Sequence, residues 1–363
     1  MLKLKKKKIF FVLPSLTSGG AERVVSILSN SLSGMDYDVS IIVFNDKDKA
    51  YEIDNEVNII LAGKGISYNQ RLNTIFKLVD LRSIIKLYPG AIVIPFHDSC
   101  LKYAIAATKG LNAKVIACER NDPYHLYPTQ KSAEKIRHLY RKSDACVFQT
   151  KDARDFFNIK NSKKCYIIQN PVTQPYYTWE GNIKSGRLIS VCRLSAQKNI
   201  YMAIDAVKKA LKKGNLKLSY HIYGQGELLG ELEDYVKREG MCDYVSFMGT
   251  TKNVQKELST HSVFVLSSDY EGISNAMLEA LSVGMPVIST DCPIGGARET
   301  ITDGVNGILV PVGDSDALAE SIIRLLSDER LAKEIGANAR EIIDNNSVEA
   351  ISQQWVNVIE GLC

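Results

Sequence analysis

The chain has 363 residues, more than one hydrophobic core usually organises, so two domains of roughly 170–190 residues are expected. Hydrophobic residues make up 45% and charged residues 24% of the sequence, which is typical of a soluble globular protein, and no stretch approaches the roughly 20 apolar residues of a membrane span. The net charge of +4 is too small to indicate nucleic acid as a partner.

The N-terminal segment MLKLKKKKIFFVLPSL places five lysines before a short apolar run. The run ends at Pro14 after about eight residues and has no small-residue cleavage site, so it predicts a buried first strand and not a signal peptide. The lysines form either a solubilising tail or a contact with an anionic membrane surface, to which each lysine would add about 1 kcal/mol.

Short apolar runs alternate with helical patterns along almost the whole chain. The first series predicts helices such as 20–33, 71–88 and 131–142, between strands at 8–13, 39–44, 57–61, 91–96, 114–118, 145–149 and 164–168. The second series predicts strands at 187–192, 218–223, 244–247, 262–266, 286–289 and 307–310. Strands that alternate with helices favour parallel sheets joined by right-handed crossovers, so the predicted fold class is α/β.

Two such series predict two Rossmann-like, doubly wound domains, 1–170 and 187–345, joined by a Pro-, Gly- and Trp-containing linker over 171–186. A last helical segment over 346–363, which contains Trp355, can cross back to the first domain. Ligands of such folds bind at the carboxyl ends of the strands, here in the cleft expected between the two domains.

The loop after the first strand, in LPSLTSGGAERVVSIL, contains Gly19 and Gly20 just before a helix. A glycine pair lets the backbone approach a ligand closely, and a helix N-terminus favours an anion. The alternative is a tight strand-to-helix turn that binds nothing.

The second series opens with LISVCRLSAQKNI, in which Arg193 and Lys198 follow a strand and precede a helix. Two cations at the carboxyl end of a strand are well placed for a diphosphate, although a solvated loop can show the same pattern. Gly224 and Gly226 follow the next strand and suit a tight turn beside a nucleotide. This Gly-x-Gly lacks the remaining glycine of a dinucleotide fingerprint, so it is weak support for NAD.

The segment SVFVLSSDYEGISNAMLEALSVG predicts a buried strand, a polar loop that reaches Gly272, and a helix that ends at Gly284. Ser274 and Asn275 lie near the helix N-terminus, where free backbone N–H groups and the helix dipole attract phosphate.

Two glutamates of this segment are expected at opposite ends of one ligand. Asn275 and Glu279 are four residues apart and share a helix face, so Glu279 can reach the ribose of a bound nucleotide and accept from its two hydroxyls. Glu271, on the loop, points towards whatever the phosphate carries. The alternative is a surface acid and an ordinary helix charge.

The spacing of these glutamates resembles the E-x7-E motif of the retaining GT-B glycosyltransferases of family four, also called glycosyl transferases group 1. GGAE after the first strand, RL–QKN after the linker, GxGE, GMPVISTDCPIGGARETI and DGVNGILV occur in that family in the same order. The resemblance extends over nearly the whole chain. Each motif is weak alone, but the ordered set is specific.

The resemblance implies two Rossmann-like domains in a GT-B arrangement, with a nucleotide-sugar donor held mainly by the second domain. It implies that Arg193 and Lys198 carry the diphosphate charge without a metal, that Glu271 contacts the donor sugar and that Glu279 contacts the ribose. The remaining donor-side residues are then Ser274, Asn275, Gly272, Gly224, Gly295 and Gly296.

The chain departs from the family at a strand of the first domain that is often followed by a histidine contacting the donor sugar. Here that strand is followed by Glu119, Arg120 and Asn121, and a histidine, His97, follows the preceding strand instead. His97 is either a substrate-side residue or a hydrogen-bonded structural histidine. With Gly19 and Gly20, these residues are assigned to the acceptor or sugar side. Members with an ERN sequence resemble transferases that build bacterial surface glycans on lipid carriers.

A metal site is not expected. Three Asp-x-Asp triplets occur, at 36–38, 46–48 and 314–316, but such triplets are common by chance in a chain with 41 acidic residues, and the last one fits a helix N-terminus. The eight cysteines include no Cys-x-x-Cys pair, and several lie in strand-like runs as expected for reduced core residues of a cytoplasmic protein.

These features predict a retaining glycosyltransferase that moves a hexose or N-acetylhexosamine from a UDP-sugar to a lipid-linked saccharide, without a cofactor. The protein is expected to be cytoplasmic and peripheral at the inner membrane face. One alternative is a nucleotide-sugar epimerase on the same fold, which needs no acceptor. The other is a non-catalytic nucleotide-sugar-binding protein, which would not need both Arg193 and Lys198.

Overall fold

The computed structural model describes residues 6–17, 19–45, 48–63, 70–159, 164–214 and 216–362. The chain divides into two compact units. The first unit consists of Met1–Pro171 and Val348–Cys363, and the second consists of Val172–Ser347. Within the described ranges no helix is both long and apolar enough to cross a bilayer.

A seven-stranded parallel sheet with the order β3-β2-β1-β4-β5-β6-β7 forms the centre of the first unit. Its strands are β1 Lys8–Leu13, β2 Asp38–Val43, β3 Asn58–Leu61, β4 Ala91–Pro95, β5 Ala113–Cys118, β6 Ala145–Phe148 and β7 Cys165–Ile167. Its helices are α1 Gly20–Gly34, α2 Gln70–Lys86, α3 Asp98–Thr108, α4 Pro123–Leu126, α5 Gln130–Lys142, α6 Lys151–Phe157 and, from the end of the chain, α14 Val348–Glu360.

Strand β1 lies inside this sheet, between β2 and β4, and the run IFFVL in its sequence is apolar on both faces. Ile9 lies opposite Val39 of β2 on one side and Ile92 of β4 on the other. Every residue of β1 is buried, as expected for a parallel strand covered by helices on both faces. On one face, Trp355 of α14 is fully buried and lies against Phe96, with ring centroids 6.0 Å apart.

A six-stranded parallel sheet with the order β10-β9-β8-β11-β12-β13 forms the centre of the second unit. Its strands are β8 Arg187–Val191, β9 Ser219–Tyr223, β10 Val245–Gly249, β11 Val263–Leu266, β12 Val287–Thr290 and β13 Ile308–Val310. Its helices are α7 Ile200–Gly214, α8 Leu229–Arg238, α9 Val254–Thr260, α10 Asn275–Val283, α11 Ser315–Ser327, α12 Glu329–Ala339 and α13 Ile342–Asn345.

Strand order reverses at β8, which has β9 on one side and β11 on the other. In open α/β sheets, ligands bind at the carboxyl ends of the strands where the order reverses. The loops that follow β8, β9 and β11 are therefore the expected location of a ligand site.

All thirteen predicted strands are present, and their ends differ from the prediction by at most two residues. The predicted fold class, α/β with two doubly wound parallel sheets, is confirmed. The segment predicted as a linker, 171–186, is not a free connection, because its backbone and side chains bond to the second unit. The Nε1–H of Trp179 donates to the His261 carbonyl at 2.8 Å, and its backbone N–H donates to Val283 at 2.7 Å.

The lysines at the start of the chain form ion pairs where the structure describes them. Lys6 pairs with Asp36 at 2.6 Å, Lys7 pairs with Glu360 at 3.1 Å, and Lys8 pairs with Asp38 at 2.6 Å. Lys8 also donates to Ser40 and belongs to the buried strand β1, so it is not part of a tail. The lysines at positions 3 and 5 lie outside the described residues. A membrane contact through these N-terminal lysines stays a prediction.

Candidate active site

Glycines bring the loops at the carboxyl edge of the second sheet into contact. Gly224 has a φ of +142°, and a Cβ at this position would lie 1.8 Å from the Cys192 carbonyl oxygen. A Cβ at Gly296 would lie 1.7 Å from the carbonyl oxygen of Gly272. No larger residue fits at either position without movement of the backbone, so these glycines are needed to pack one loop against the next.

Three consecutive residues after β8 hold the loop after β11. The Nε2–H of Gln197 donates to the Tyr270 carbonyl at 2.9 Å, and the Nδ2–H of Asn199 donates to the Asp269 carboxylate at 2.7 Å. The carbonyl oxygen of Lys198 accepts a hydrogen bond from Ser267 at 2.9 Å. The QKN motif therefore joins two loops that are about 70 residues apart in the chain, and it orients the lysine between them.

Lys198 and Glu271 form an ion pair inside this junction. Their side chains are only 13% and 16% exposed, and the Glu271 carboxylate also accepts from the Ser268 hydroxyl at 3.2 Å. Burial alone lowers the pKa of the Lys198 ammonium, but the neighbouring Glu271 carboxylate outweighs burial and holds that pKa above its ordinary value. Separate ligand contacts were predicted for Lys198 and Glu271, and their contact with each other was not predicted because they are 73 residues apart in the chain.

Arg193 differs from Lys198 because its side chain is exposed. This side chain forms no hydrogen bond or ion pair with the part of the chain that the structure describes. The backbone of its loop is nevertheless held, since Leu194 donates to the Gln225 carbonyl at 2.9 Å. Arg193 is thus a cation on an ordered loop, available to an anionic ligand at the point where the strand order reverses.

Helix α10 carries the second glutamate, and it begins and ends as predicted. The Ser274 hydroxyl caps it by accepting from the Met277 N–H at 3.3 Å, and Gly284 ends it with a φ of +82°. Glu279 lies one turn after Asn275 and is buried, with 7% of its surface exposed. A buried carboxylate is suited to accept hydrogen bonds from a neutral polar ligand such as a sugar hydroxyl.

The loop after β12 completes the set of donor-side residues proposed from the sequence. Gly295 has a φ of +76°, a conformation that favours glycine, and Gly296 packs on Gly272 as described above. The Glu271 N–H donates to the Pro293 carbonyl at 3.3 Å, which ties this loop to the loop after β11. The loops that carry these residues therefore meet at one edge of the second sheet.

In the first unit, His97 follows β4 and lies at the N-terminus of α3. Its Nδ1 is 2.8 Å from the Asp98 carboxylate, and this contact raises the pKa of the histidine and lowers that of the aspartate. The Tyr127 hydroxyl donates to the other Asp98 oxygen at 2.9 Å. His97 is exposed, so the structure shows an oriented imidazole that a ligand can reach.

The residues after β5 divide between the surface and the interior of the first unit. Asn121 is half-buried and accepts from the Asp122 N–H at 2.9 Å. Arg120 places its guanidinium 4.5 Å from the Phe96 ring centroid and donates to the Ile168 carbonyl at 3.0 Å. Its Nε and Nη2 atoms are buried without a partner among the described residues, and burial lowers its pKa. The contacts of the Arg120 side chain are therefore with other residues of the first unit.

Glu119 is buried as well, and burial raises the pKa of its carboxyl to about 8. Its Oε1 accepts from the backbone N–H groups of Arg120 and Asn121 at 3.0 and 3.2 Å, which offsets only part of the cost of burial. The assignment of Glu119 to the acceptor or sugar side stays a prediction. The structure favours a neutral carboxyl in the interior near neutral pH.

The stability of the first unit is expected to fall as pH rises, because the folded Glu119 holds a proton that the unfolded chain has already released. Between pH 6 and 8 the chain should lose on the order of 2 kcal/mol relative to Glu119→Gln. Urea unfolding in a Trp179→Phe background, where Trp355 reports the first unit, measures this difference. Glu134→Gln, which removes an exposed carboxylate of α5, is the control. A pH slope that Glu119→Gln leaves unchanged would contradict the assignment.

The glycine pair after β1 opens α1. Gly19 is the N-cap residue in an extended conformation with no side-chain cap, and its carbonyl accepts from the Tyr51 hydroxyl at 3.1 Å. Gly20 is the first residue of the helix. The strand-to-helix turn is thus present, and a ligand contact here stays a prediction.

Acidic residues that were considered as metal ligands have other partners. Asp36 and Asp38 pair with lysines of β1 or just before it, and the triplet at 46–48 lies largely outside the described residues. Asp314 caps α11, and Asp316 pairs with Lys209 at 2.6 Å. In the part of the chain that the structure describes, no three His, Cys, Asp or Glu residues are grouped so that they could hold a metal ion.

Comparisons with known proteins agree with this architecture. The profile described as "Glycosyltransferase Family 4" matches residues 18–173, and the profile described as "Glycosyl transferases group 1" matches residues 185–328. Together the two matches cover most of the chain, one in each unit.

Full-length relatives are also found. A Campylobacter jejuni enzyme named as an alpha-1,4-N-acetyl-D-galactosaminyltransferase acting on GalNAc-alpha-(1->4)-GalNAc-alpha-(1->3)-diNAcBac-PP-undecaprenol is 28% identical, over 97% of this chain and 98% of its own length. The amylovoran biosynthesis glycosyltransferase AmsD of Erwinia amylovora is 25% identical, over 94% of this chain and 96% of its own length.

Solved structures share the fold at lower identity. HepE of Anabaena, crystallised with UDP and glucose, has a TM-score of 0.85 at 18% identity and covers 98% of this chain and 99% of its own. TarM of S. aureus has a TM-score of 0.83 at 17% identity and covers 97% of this chain and 98% of its own. With two parallel sheets, the ordered motifs and both profile matches, the chain belongs to the family-four, group 1 glycosyltransferases of GT-B fold.

Proposed function

We propose that this glycosyltransferase transfers a hexose or N-acetylhexosamine from a UDP-sugar to a lipid-linked saccharide, with retention of the anomeric configuration, in the synthesis of a cell-surface glycan. The observation that carries the proposal is the edge of the second sheet. There the exposed, unpaired side chain of Arg193 lies on the loop after β8, which is bonded to the loop that leads into α10, and α10 carries the buried Glu279. A cation and a buried carboxylate are what the diphosphate and the ribose of a nucleotide require.

The acceptor class is supported by relatives. Two Campylobacter jejuni enzymes, 28% and 27% identical over most of the chain, are named for acceptors on undecaprenol diphosphate, and AmsD is named for amylovoran synthesis. An acceptor on a lipid carrier requires the enzyme to work at a membrane surface. We therefore infer a cytoplasmic protein that is peripheral at the inner face of the membrane.

In this mechanism Arg193 stabilises the charge that grows on the departing diphosphate, and the diphosphate itself accepts the proton of the acceptor hydroxyl. Lys198 supplies a second cation. In the ligand-free chain its charge is balanced by Glu271, which keeps the ammonium protonated and oriented. We infer that Glu271 turns to the donor sugar when the diphosphate takes its place as the partner of Lys198.

Glu279→Gln and Glu271→Gln are expected to fail differently, which tests the proposed roles. Glu279→Gln weakens contacts to the ribose, which UDP alone also makes, so UDP affinity should fall by about 1.5–3 kcal/mol and the donor KM should rise. Glu271→Gln should lower kcat and leave UDP affinity nearly intact. Calorimetric titration of UDP beside steady-state kinetics decides the matter. Equal loss of UDP affinity in both variants would show that the assignment is wrong.

Donor binding is expected to be independent of divalent ions, because Arg193 and Lys198 supply the positive charge that a metal would otherwise provide. Donor affinities measured with and without a chelator should agree within about threefold, roughly 0.7 kcal/mol. Loss of binding on chelation would indicate that one of the Asp-x-Asp triplets binds a divalent ion. Incubation with the donor alone is the accompanying control, since an epimerase would form a new sugar isomer without an acceptor.

A further inference from the structure

Helix α2 of the first unit presents an apolar stripe to solvent. Leu72, Ile75, Phe76 and Val79 are 43%, 53%, 40% and 53% exposed. Their spacing of three and four residues places them on one face of the helix, across two turns. Leu87, just after the helix, is 71% exposed. A contiguous stripe of this kind differs from the single exposed apolar residues that are normal on protein surfaces.

The opposite face of α2 already serves the core of the first unit. Leu81 and Ile85 are fully or almost fully buried there, at 0% and 1% exposure. The exposed stripe is therefore not needed to hold the helix on the sheet. It is additional apolar surface, and such surface on a folded unit marks a contact with a partner.

On α2 and the adjacent α3 taken together, basic residues outnumber acidic ones. The sequence from 70 to 109, which spans α2 and α3, contains six Lys or Arg residues and two Asp or Glu residues. Lys86, Lys102 and Lys109 are exposed. Arg82 donates to the Ala107 and Lys109 carbonyls at 2.8 Å, which keeps the C-terminus of α3 and its lysine beside α2.

The excess of basic over acidic residues extends to the whole first unit. The first unit contains 27 Lys and Arg and 18 Asp and Glu residues, a formal charge of +9, whereas the second contains 18 and 23, a formal charge of −5. Exposed apolar side chains beside lysines, on a basic unit, are complementary to a surface with anionic groups outside and an apolar layer beneath them. That surface is a bilayer that contains anionic lipid.

We propose that the stripe formed by Leu72, Ile75, Phe76 and Val79 on α2 inserts into the interfacial region of an anionic bilayer, with Lys86 and Lys109 contacting lipid phosphates. The N-terminal lysines that the structure describes, Lys6, Lys7 and Lys8, are already paired with acids, so they are weaker candidates for this contact. The choice of a bilayer over another apolar partner rests in part on the proposed lipid-linked acceptor.

The test is co-sedimentation of the full chain, without donor or acceptor, with vesicles of phosphatidylcholine alone and of phosphatidylcholine mixed equally with phosphatidylglycerol. Ile75→Ser/Val79→Ser should lower the partition coefficient at least about tenfold, because two exposed aliphatic groups no longer leave water. Lys86→Gln/Lys109→Gln should lower the preference for phosphatidylglycerol by about tenfold or more. Val305→Ser/Val312→Ser, which changes two exposed valines of the second unit, is the matched control and should bind as the unchanged chain does.

Two outcomes overturn the proposal. One is that Ile75→Ser/Val79→Ser binds the vesicles as strongly as the unchanged chain does, which includes the case in which neither protein binds. The other is a dimer in solution that this variant converts to monomer, which would make the stripe a subunit interface. UDP affinity and transfer to a water-soluble saccharide are measured on the same variant and should be unchanged. A failure of the proposed function, which those assays report, is thereby separated from a failure of membrane docking.

Discussion

Arg193→Ala is expected to lower kcat by about 10²–10³ and to weaken UDP binding as well. The arginine side chain is exposed, has no partner among the described residues, and lies on a loop whose backbone bonds to the loop after β9. Because no protein contact is lost, the change should leave the free energy of unfolding within about 0.5 kcal/mol of the original value. A large loss of activity without a loss of stability is the signature of a group that contacts the ligand.

Arg238→Ala is the control for this variant. Arg238 lies in α8 of the same unit, is 68% exposed and contacts the Tyr235 ring, away from the carboxyl edge of the sheet. Arg238→Ala removes the same positive charge as Arg193→Ala, so any general effect of net charge on the binding of an anionic donor appears in both variants. If Arg193→Ala binds UDP as Arg238→Ala does, Arg193 does not hold the diphosphate.

Lys198→Met is expected to destabilise the second unit by about 3–5 kcal/mol, because it leaves the mostly buried Glu271 carboxylate without its counter-charge. The methionine keeps most of the length and apolar volume of the lysine stem, so loss of charge dominates. The double variant Lys198→Met/Glu271→Gln should recover most of the loss, since neither partner is then charged. Urea unfolding in a Trp355→Phe background, in which Trp179 reports the second unit, measures all three.

Lys208→Met provides the matched control for the ion pair. Lys208 pairs with Glu239 at 2.6 Å in the same unit, but both side chains are more exposed, at 29% and 27%. A pair of this kind contributes about 0–1 kcal/mol, since water can solvate either partner left alone. A cost for Lys198→Met no larger than that of Lys208→Met would mean that solvent reaches Glu271 when the pair is broken.

The elements of the fold could be predicted from the sequence because their signals are local. Apolar runs such as IFFVL in β1 mark strands that are buried on both faces, and a serine and a glycine mark the ends of α10 at Ser274 and Gly284. Each signal depends on a few neighbouring residues, so no knowledge of distant contacts is needed to detect it.

The candidate site could be predicted only as a set of residues at strand ends. In a parallel sheet the carboxyl ends of all strands share one edge, which is why residues after β8, β9, β11 and β12 were expected together. The resemblance to a known family then supplied roles for Arg193, Glu271 and Glu279, since spacing alone does not separate a ribose contact from an ordinary helix charge.

By itself, the sequence determined the order of helices and strands, the two parallel sheets and the residues at their carboxyl edges. The hydrophobic periodicity and the residues that form turns and helix ends are each recognised from a few neighbouring positions. The tertiary structure alone decided which of those residues meet. Lys198 and Glu271, 73 residues apart, became partners, Glu119 was buried and made hard to ionise, and the stripe on α2 was left exposed. Contact, burial and exposure depend on how distant segments pack, and no local pattern in a single sequence specifies that packing.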